Sequence, residues 1–152
     1  MKKLTMCILM VLLSGCSNLK TSLVIKEEML IGTWECVSFN HDSSLEGQTT
    51  YFNEGGFDKQ TTMRQKVADV KGEFLYQVNS SGTWKLKGNT VHETMGKYEL
   101  IPLNELSIAF EDVIKKKLDQ YKKSYLTVVT IDESKINWMG NGIPMSCNKV
   151  VK

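Results

Sequence analysis

From Gly32 onward, apolar and polar residues alternate or form short β-rich runs between turn residues. A period of two is typical of strands with one buried face, so the pattern predicts an all-β domain. Hairpins are clearest at 82–95 and 135–151, where short turns rich in Gly, Asn, Asp or Ser separate two runs. The predicted strands are Thr33–Phe39, Thr61–Asp69, Glu73–Val78, Thr83–Lys87, Thr90–Met95, Tyr125–Ile131, Lys135–Met139 and Ile143–Val151.

About eight short antiparallel strands suit a sheet that closes on itself, because closure removes the exposed edges. The expected fold is therefore a single antiparallel up-and-down β-barrel. A helical turn at Glu27–Ile31 is expected to lead into its first strand.

One segment breaks the period of two. Between Leu106 and Tyr125, apolar residues recur at steps of three and four, and lysines largely occupy the other positions. This predicts one amphipathic helix of about four turns. Such a helix can pack on its own domain or lie on a membrane surface. The acidic residues Glu111, Asp112 and Asp119 dilute its positive charge, which favours packing on the domain.

The size and composition of the chain are those of one globular domain. It has 152 residues, of which 41% are hydrophobic and 24% charged, values that exclude a disordered or low-complexity protein. There are 19 basic and 17 acidic side chains, and the two signs balance once Lys2 and Lys3 of the N-terminal segment are left out. A neutral domain lacks the basic footprint of nucleic-acid binding, so no nucleic-acid partner is expected.

The N-terminal segment has the pattern of a secretory signal. The basic Lys2-Lys3 is followed by an almost entirely apolar run from Leu4 to Leu13, which is too short to remain as a spanning helix. Leu13-Ser14-Gly15-Cys16 resembles the lipobox of bacterial lipoproteins, in which the cysteine thiol is acylated and the peptide is cut just before it. An ordinary secretory signal with a chance cysteine at the cleavage site is the alternative.

This resemblance implies a signal peptide at residues 1–15 and a lipidated N-terminus and tether at 16–28, which leaves 29–152 for the barrel domain. Acyl chains such as palmitate on Cys16 would anchor the protein, since each buried CH₂ contributes about 0.8 kcal/mol. Ser17 follows the cysteine, where an aspartate would resemble an inner-membrane retention signal. In a Gram-negative host, the expected location is the periplasmic face of the outer membrane, with the membrane as a partner through Cys16.

Two of the four cysteines remain for the domain, because Cys7 belongs to the signal and Cys16 to the anchor. Cys36 lies in the first predicted strand and Cys147 in the last. In an oxidising compartment this pair is expected to form a disulfide. The alternatives are two buried thiols or a metal pair, although neither a second Cys-X-X-Cys nor a nearby histidine supports a metal.

Three stretches carry a further resemblance, to small bacterial lipocalin-like (calycin-type) lipoproteins over residues 29–152. Gly32-Thr33-Trp34 resembles the Gly-X-Trp signature in which the tryptophan closes one end of the barrel. A second Gly-Thr-Trp begins at Gly82, and the end of the chain from Tyr125 is similar too. The family's last-strand arginine is absent here, and Lys149 is the nearest basic residue in that place.

No catalytic constellation is visible, so neither an enzyme nor a metal or other cofactor is expected. His41, Asp42 and Ser43 are residue types of a catalytic triad, but neighbours in sequence rarely point at one another, and a hydrated loop explains them. The second histidine, His92, lies in a predicted strand. Phosphate loops, His-Glu-X-X-His and Ca²⁺ loops are absent from the sequence.

The aromatic residues on predicted strands offer the one candidate site. An eight-stranded barrel is just wide enough to be filled by side chains or to hold one small ligand. The expected function is a lipid-anchored binding module for a small apolar ligand or a protein partner. A structural or envelope-stress lipoprotein with a filled barrel is the alternative. The pocket or core aromatics are Trp34, Phe74, Tyr76, Trp84 and Trp138.

Overall fold

The computed structural model describes residues 24–66 and 71–151. Cys16 and the predicted signal peptide lie outside these residues. The elements are α1 Glu27–Leu30, β1 Gly32–Asn40, β2 Ser43–Tyr51, β3 Gly56–Lys66, β4 Glu73–Lys87, β5 Thr90–Pro102, α2 Glu105–Ala109, α3 Glu111–Gln120, β6 Lys123–Ile131, β7 Lys135–Gly140 and β8 Ile143–Lys149.

The eight strands form a closed antiparallel barrel in which each strand pairs with the next along the chain and β8 returns to β1. The seam between β8 and β1 runs over five residue pairs, from Trp34 opposite Lys149 to Ser38 opposite Met145. This confirms the predicted up-and-down barrel. Within the described residues, no helix is both long and apolar enough to cross a membrane.

Eight strands were predicted and eight are present, but one strand was missed and another was predicted as two separate strands. Strand β2, Ser43–Tyr51, was not predicted because its sequence is mostly polar. The stretch Asn79–Gly82, predicted as a turn, instead continues β4 from Glu73 to Lys87, with a shift in the pairing to β5 between Ser81 and Gly82. Hydrogen-bonded neighbours on both sides override the turn preference of these small polar residues.

The hairpin predicted at 135–151 is present as β7 and β8. Its two-residue turn, Asn141-Gly142, has φ values of 49° and 80°. Both lie in the left-handed region that a tight hairpin of this kind requires, and asparagine and glycine are the residues that tolerate it best.

The prediction of one helix from Leu106 to Tyr125 is wrong. Phe110, with φ −112° and ψ 8°, separates α2 from α3, and Tyr125 belongs to β6. The Asn104 side chain caps α2 by accepting a hydrogen bond from the Ser107 N–H. Both helices lie between β5 and β6 in the chain, and α2 contacts β4 and β5.

The buried apolar residues form two separate clusters. The first fills the end of the barrel where the chain enters β1, which we call the closed end; it includes Trp34, Trp84 and Trp138. The second lies toward the opposite, open end, where Phe74, Tyr76 and Leu100 pack with apolar residues of α2 and α3. Strands β4 and β5 are the longest and contribute to both clusters.

Candidate functional site

Three tryptophans seal the closed end of the barrel. Trp34, Trp84 and Trp138 are almost completely buried, and the Tyr51 ring lies 5.2 Å from that of Trp84 in an edge-on arrangement. Side chains therefore fill this end of the barrel. Each indole N–H has an acceptor. That of Trp34 donates to the Leu30 carbonyl at 2.7 Å, that of Trp84 to the Phe52 carbonyl at 3.2 Å, and that of Trp138 to Cys147 Sγ at 3.2 Å.

The disulfide predicted between Cys36 and Cys147 is present and joins the first and last strands. The two cysteines are register partners at the seam, and both are buried. The alternatives of free thiols or a metal pair are therefore wrong for this structure. The bond holds the seam covalently on the side where the barrel is filled.

A charged residue lies inside the barrel beside the tryptophans, because Glu93 is the register partner of Trp84. Glu93 follows the buried Val91 on the inward face of β5, and 4% of its side chain is exposed. Its carboxylate accepts hydrogen bonds from Tyr51 Oη at 2.5 Å, Lys59 Nζ at 2.5 Å and Ser124 Oγ at 2.6 Å. We call these four residues the polar layer. Charge-assisted bonds of this kind are the strong ones, and the three donors compensate the burial of the carboxylate.

The surroundings of Glu93 keep it ionised and keep Tyr51 neutral. Burial by itself would raise the pKa of Glu93, but the charge of Lys59 and the hydrogen bonds from Lys59, Ser124 and Tyr51 together lower it. Burial, the charge of Glu93 and the hydrogen bond to Glu93 raise the pKa of Tyr51 well above its ordinary value. The polar layer is therefore an ion pair with a neutral phenol beside it.

Above the polar layer, inward-facing side chains become accessible to water. Leu45, on the same face of β2 as the buried Thr49 and Tyr51, is 38% exposed. Met63 and Val78, which face inward from β3 and β4, are half-buried. Lys59 is 21% exposed, so the polar layer is not sealed from water. Apolar side chains on the inner face of the open half are thus partly accessible to water.

The helices α2 and α3 cover one side of the open half. Phe74 contacts Phe110 with ring centroids 5.0 Å apart, and the Tyr76 hydroxyl donates to the Ser107 carbonyl at 2.7 Å. The Leu75 N–H donates to Ser107 Oγ, also at 2.7 Å. Ser107 is completely buried, whereas α3 has no fully buried residue. The helical cover is therefore attached firmly at α2 and more loosely at α3.

The structure divides the five predicted aromatic residues between two places. The three tryptophans lie in the closed-end cluster, while Phe74 and Tyr76 lie under the helices. The polar layer was missed by sequence reasoning. Glu93 lies two residues after Val91 on the same strand, so both side chains point to the same face. This spacing is the signal that could have shown that Glu93 faces inward.

The predicted histidines lie at the surface or on the outer wall. His41 is in the exposed turn between β1 and β2, with Nδ1 3.0 Å from the Asp42 carboxylate. His92 lies on β5, where its ring contacts that of Tyr125 edge-on with centroids 5.0 Å apart. Over residues 24–66 and 71–151, no group of three or more His, Cys, Asp or Glu side chains could hold a metal ion.

Comparisons with known proteins give structural similarity but no sequence relative. No protein-family model matches the chain, and no curated protein matches it. A lipocalin-like protein from Bacteroides uniformis is similar in structure, with 17% identity and a TM-score of 0.45, over 80% of this chain and 99% of that one. A redesigned β-barrel, mFAP1, bound to DFHBI, matches at 14% identity and a TM-score of 0.37, over 82% of this chain and 96% of that one.

Proposed function

We propose that this chain is a lipid-anchored, periplasm-facing module that binds a small, largely apolar ligand in the open half of its barrel. The observation that carries the proposal is the contrast between the two halves. The closed end is packed with buried tryptophans, whereas Leu45 on the inner face is 38% exposed. Exposed apolar side chains around a concave interior are the usual lining of small-molecule sites.

The polar layer adds a polar contact at the base of this site. Small-molecule pockets combine an apolar lining with a few fixed polar groups that orient the ligand. Lys59 is a member of the layer that water reaches, and its Nζ is held by Glu93. A ligand with an apolar body and one polar end would match this arrangement.

The anchor belongs to the same proposal and rests on the sequence Leu13-Ser14-Gly15-Cys16. Metabolic labelling with palmitate should mark the wild-type protein and leave Cys16→Ser unlabelled and uncut. Fractionation should place the wild-type protein with the outer membrane. Processing and membrane association of Cys16→Ser like those of wild type would overturn the anchor but leave the ligand site untouched.

The ligand site can be tested with N-phenyl-naphthylamine, a neutral apolar dye whose emission rises in apolar surroundings. Titration of the purified protein should show saturable binding. Leu45→Lys places a charge on the inner wall and should weaken dye binding by about tenfold, since burying an unpaired ammonium is unfavourable. Unchanged binding by this variant would overturn the interior site.

Val37→Lys is the matched control. Val37 is also 38% exposed, but on β1 it alternates with the buried Cys36 and Ser38 and so faces outward. Its substitution adds the same charge at the same exposure, and it should leave dye binding within about twofold of wild type. The reverse result would assign the dye to the outer wall.

A second candidate function is the binding of a protein partner on the outer wall. A groove of about 570 Å³ there is lined by uncharged residues of β1, β6, β7 and β8. Phe39, Val129 and Met139 are among the exposed large hydrophobic residues of this groove. Exposed apolar patches of this kind mark interaction sites. The Val37→Lys variant, which alters this groove, should then weaken the partner's binding while leaving the interior site intact.

A further inference from the structure

A second groove lies on the outer wall over β4, β5 and β6, on the opposite side of these strands from the polar layer. Its volume is about 370 Å³, and its lining includes Lys85, Lys87, Lys123, His92 and Tyr125. The lining is more polar than apolar. It is separate from the apolar groove over β6, β7, β8 and β1.

Strand register explains why the basic residues meet here. Lys85 on β4 pairs with His92 on β5, which in turn pairs with Tyr125 on β6. In the neighbouring row, Lys123 on β6 lies opposite Thr94 on β5. Lysines from the two flanking strands therefore border a groove whose centre is β5, with side chains on the outward face of the sheet.

The described lining of this groove has no outward-facing carboxylate that would compensate the charge of its lysines. Among the described residues of the lining, the one carboxylate is that of Glu93. That carboxylate is turned inward and bonded to Lys59, Tyr51 and Ser124. Three lysines of a chain with nearly balanced charge are thus gathered in one concavity, an arrangement that raises the local concentration of anions.

The groove also offers groups that complete the recognition of an oxyanion. The Thr94 hydroxyl and the His92 ring are donors beside the lysines, and lysine is a common phosphate binder through its point charge. The exposed Tyr125 ring, edge-on to His92, gives a flat apolar surface next to the charges. An anion with an attached apolar or planar body would contact both.

From these observations we propose that the outer groove over β4, β5 and β6 is a binding site for a small phosphorylated ligand, independent of the site inside the barrel. The lysines contact the phosphate group from both sides, and Tyr125 contacts the remainder of the molecule. The same chemistry is found in phospholipid headgroups, and the test separates the two sources.

The probe is inorganic pyrophosphate, titrated by calorimetry into the purified full chain in neutral detergent at low salt. Wild type should bind it, and affinity should fall as salt is raised. The variant Lys85→Gln/Lys87→Gln/Lys123→Gln should bind about tenfold more weakly or worse. The control Lys26→Gln/Lys71→Gln/Lys135→Gln removes the same charge from exposed positions outside the groove and should stay within about twofold of wild type.

Three outcomes would overturn the proposal. The first is the absence of pyrophosphate binding by the folded wild-type chain. The second is an equal loss in both triple variants, which would assign the effect to net charge. The third combines two results: pyrophosphate does not bind, and the chain floats with phosphatidylglycerol vesicles in preference to phosphatidylcholine vesicles. If this flotation depends on the three groove lysines, the groove is assigned to a membrane surface. Dye binding inside the barrel should be the same in wild type and both triple variants, which shows that they are folded.

Discussion

Lys149 Nζ lies 5.1 Å from the centroid of the Trp34 ring, and the two residues face each other across the seam that closes the barrel. The lysine stem also approaches Gly32, where an added Cβ would lie 3.2 Å from Lys149 Cε. Gly32 has φ +121°, a conformation that other residues rarely adopt. Lys149 thus holds a cation over the indole at the closed end.

This arrangement predicts very unequal costs for its two members. Trp34→Ala removes a completely buried ring and should lower the free energy of unfolding by about 3–5 kcal/mol. Lys149→Ala should lower it by about 0.5–1 kcal/mol, because a cation over an aromatic face contributes little at a partly exposed site. Urea denaturation of both variants measures the difference. An unchanged midpoint for Trp34→Ala would contradict the closed-end packing.

The second prediction concerns the disulfide between Cys36 and Cys147, which closes a loop with a sequence separation of 111. Its removal should cost about 2–4 kcal/mol, because the bond restricts the unfolded chain, and the melting temperature should fall by several degrees or more. The melting curve of reduced wild type should resemble that of the double variant Cys36→Ala/Cys147→Ala. The double variant is also the control, since reduction should not lower its melting temperature further. Two reactive thiols in the unreduced folded domain would refute the bond.

The barrel could be predicted from the sequence because most of its strands have one apolar face. Strand β2 could not, since three of its five inward positions, Ser43, Gly47 and Thr49, are small or polar and interrupt the period-two apolar signal. The continuity of β4 through Asn79–Gly82 depends on pairing with β3 and β5, which are distant in sequence. Local turn preference is overridden there by the sheet.

The third prediction concerns the pH dependence that Glu93 confers. Its pKa is lower in the folded protein than the ordinary value of 4.5, so the unfolded chain takes up a proton at a higher pH than the folded chain. The stabilisation is therefore complete above pH 4.5 and is lost as the pH falls through the folded pKa. Urea denaturation between neutral pH and acid should show this loss in wild type.

Glu93→Gln should remove that part of the pH dependence. At neutral pH it should also lower the free energy of unfolding by about 1–3 kcal/mol, because Lys59 keeps its charge and loses its carboxylate partner. Glu46→Gln, on an exposed residue of β2, is the control and should change stability by less than about 0.5 kcal/mol. A Glu93→Gln protein with the same acid sensitivity as wild type would contradict the assignment.

The polar layer was harder to predict than the tryptophans for a simple physical reason. Trp34, Trp84 and Trp138 are large apolar residues on strands, and residues of this type are usually buried. Glu93 and Lys59 are 34 residues apart and are usually exposed residue types, so their pairing depends on the closure of the barrel. The alternation of side chains along β5 indicates that Glu93 faces inward but does not identify its hydrogen-bond partners.

The last prediction concerns the attachment of the helical cover at Ser107. Its hydroxyl accepts from the Leu75 N–H and lies 2.6 Å from Asn104 Oδ1, while the Asn104 amide donates to the Glu73 carbonyl at 2.9 Å. These bonds join the start of α2 to β4. The packing of α2 and α3 belongs to the second cluster, which shares no residue with the closed-end cluster.

Ser107→Ala should therefore loosen the helices selectively, because it leaves the Leu75 N–H without its acceptor, at a cost of about 1–3 kcal/mol. Hydrogen exchange should show reduced protection over α2 and α3, with little change in β1 and β8, since elements with separate packing can open separately. Ser146→Ala, on a half-buried serine of β8, is the control and should leave protection of the helices unchanged. An equal loss of protection in all strands after Ser107→Ala would show instead that helices and barrel unfold as one unit, and that the cover does not open independently of the closed end.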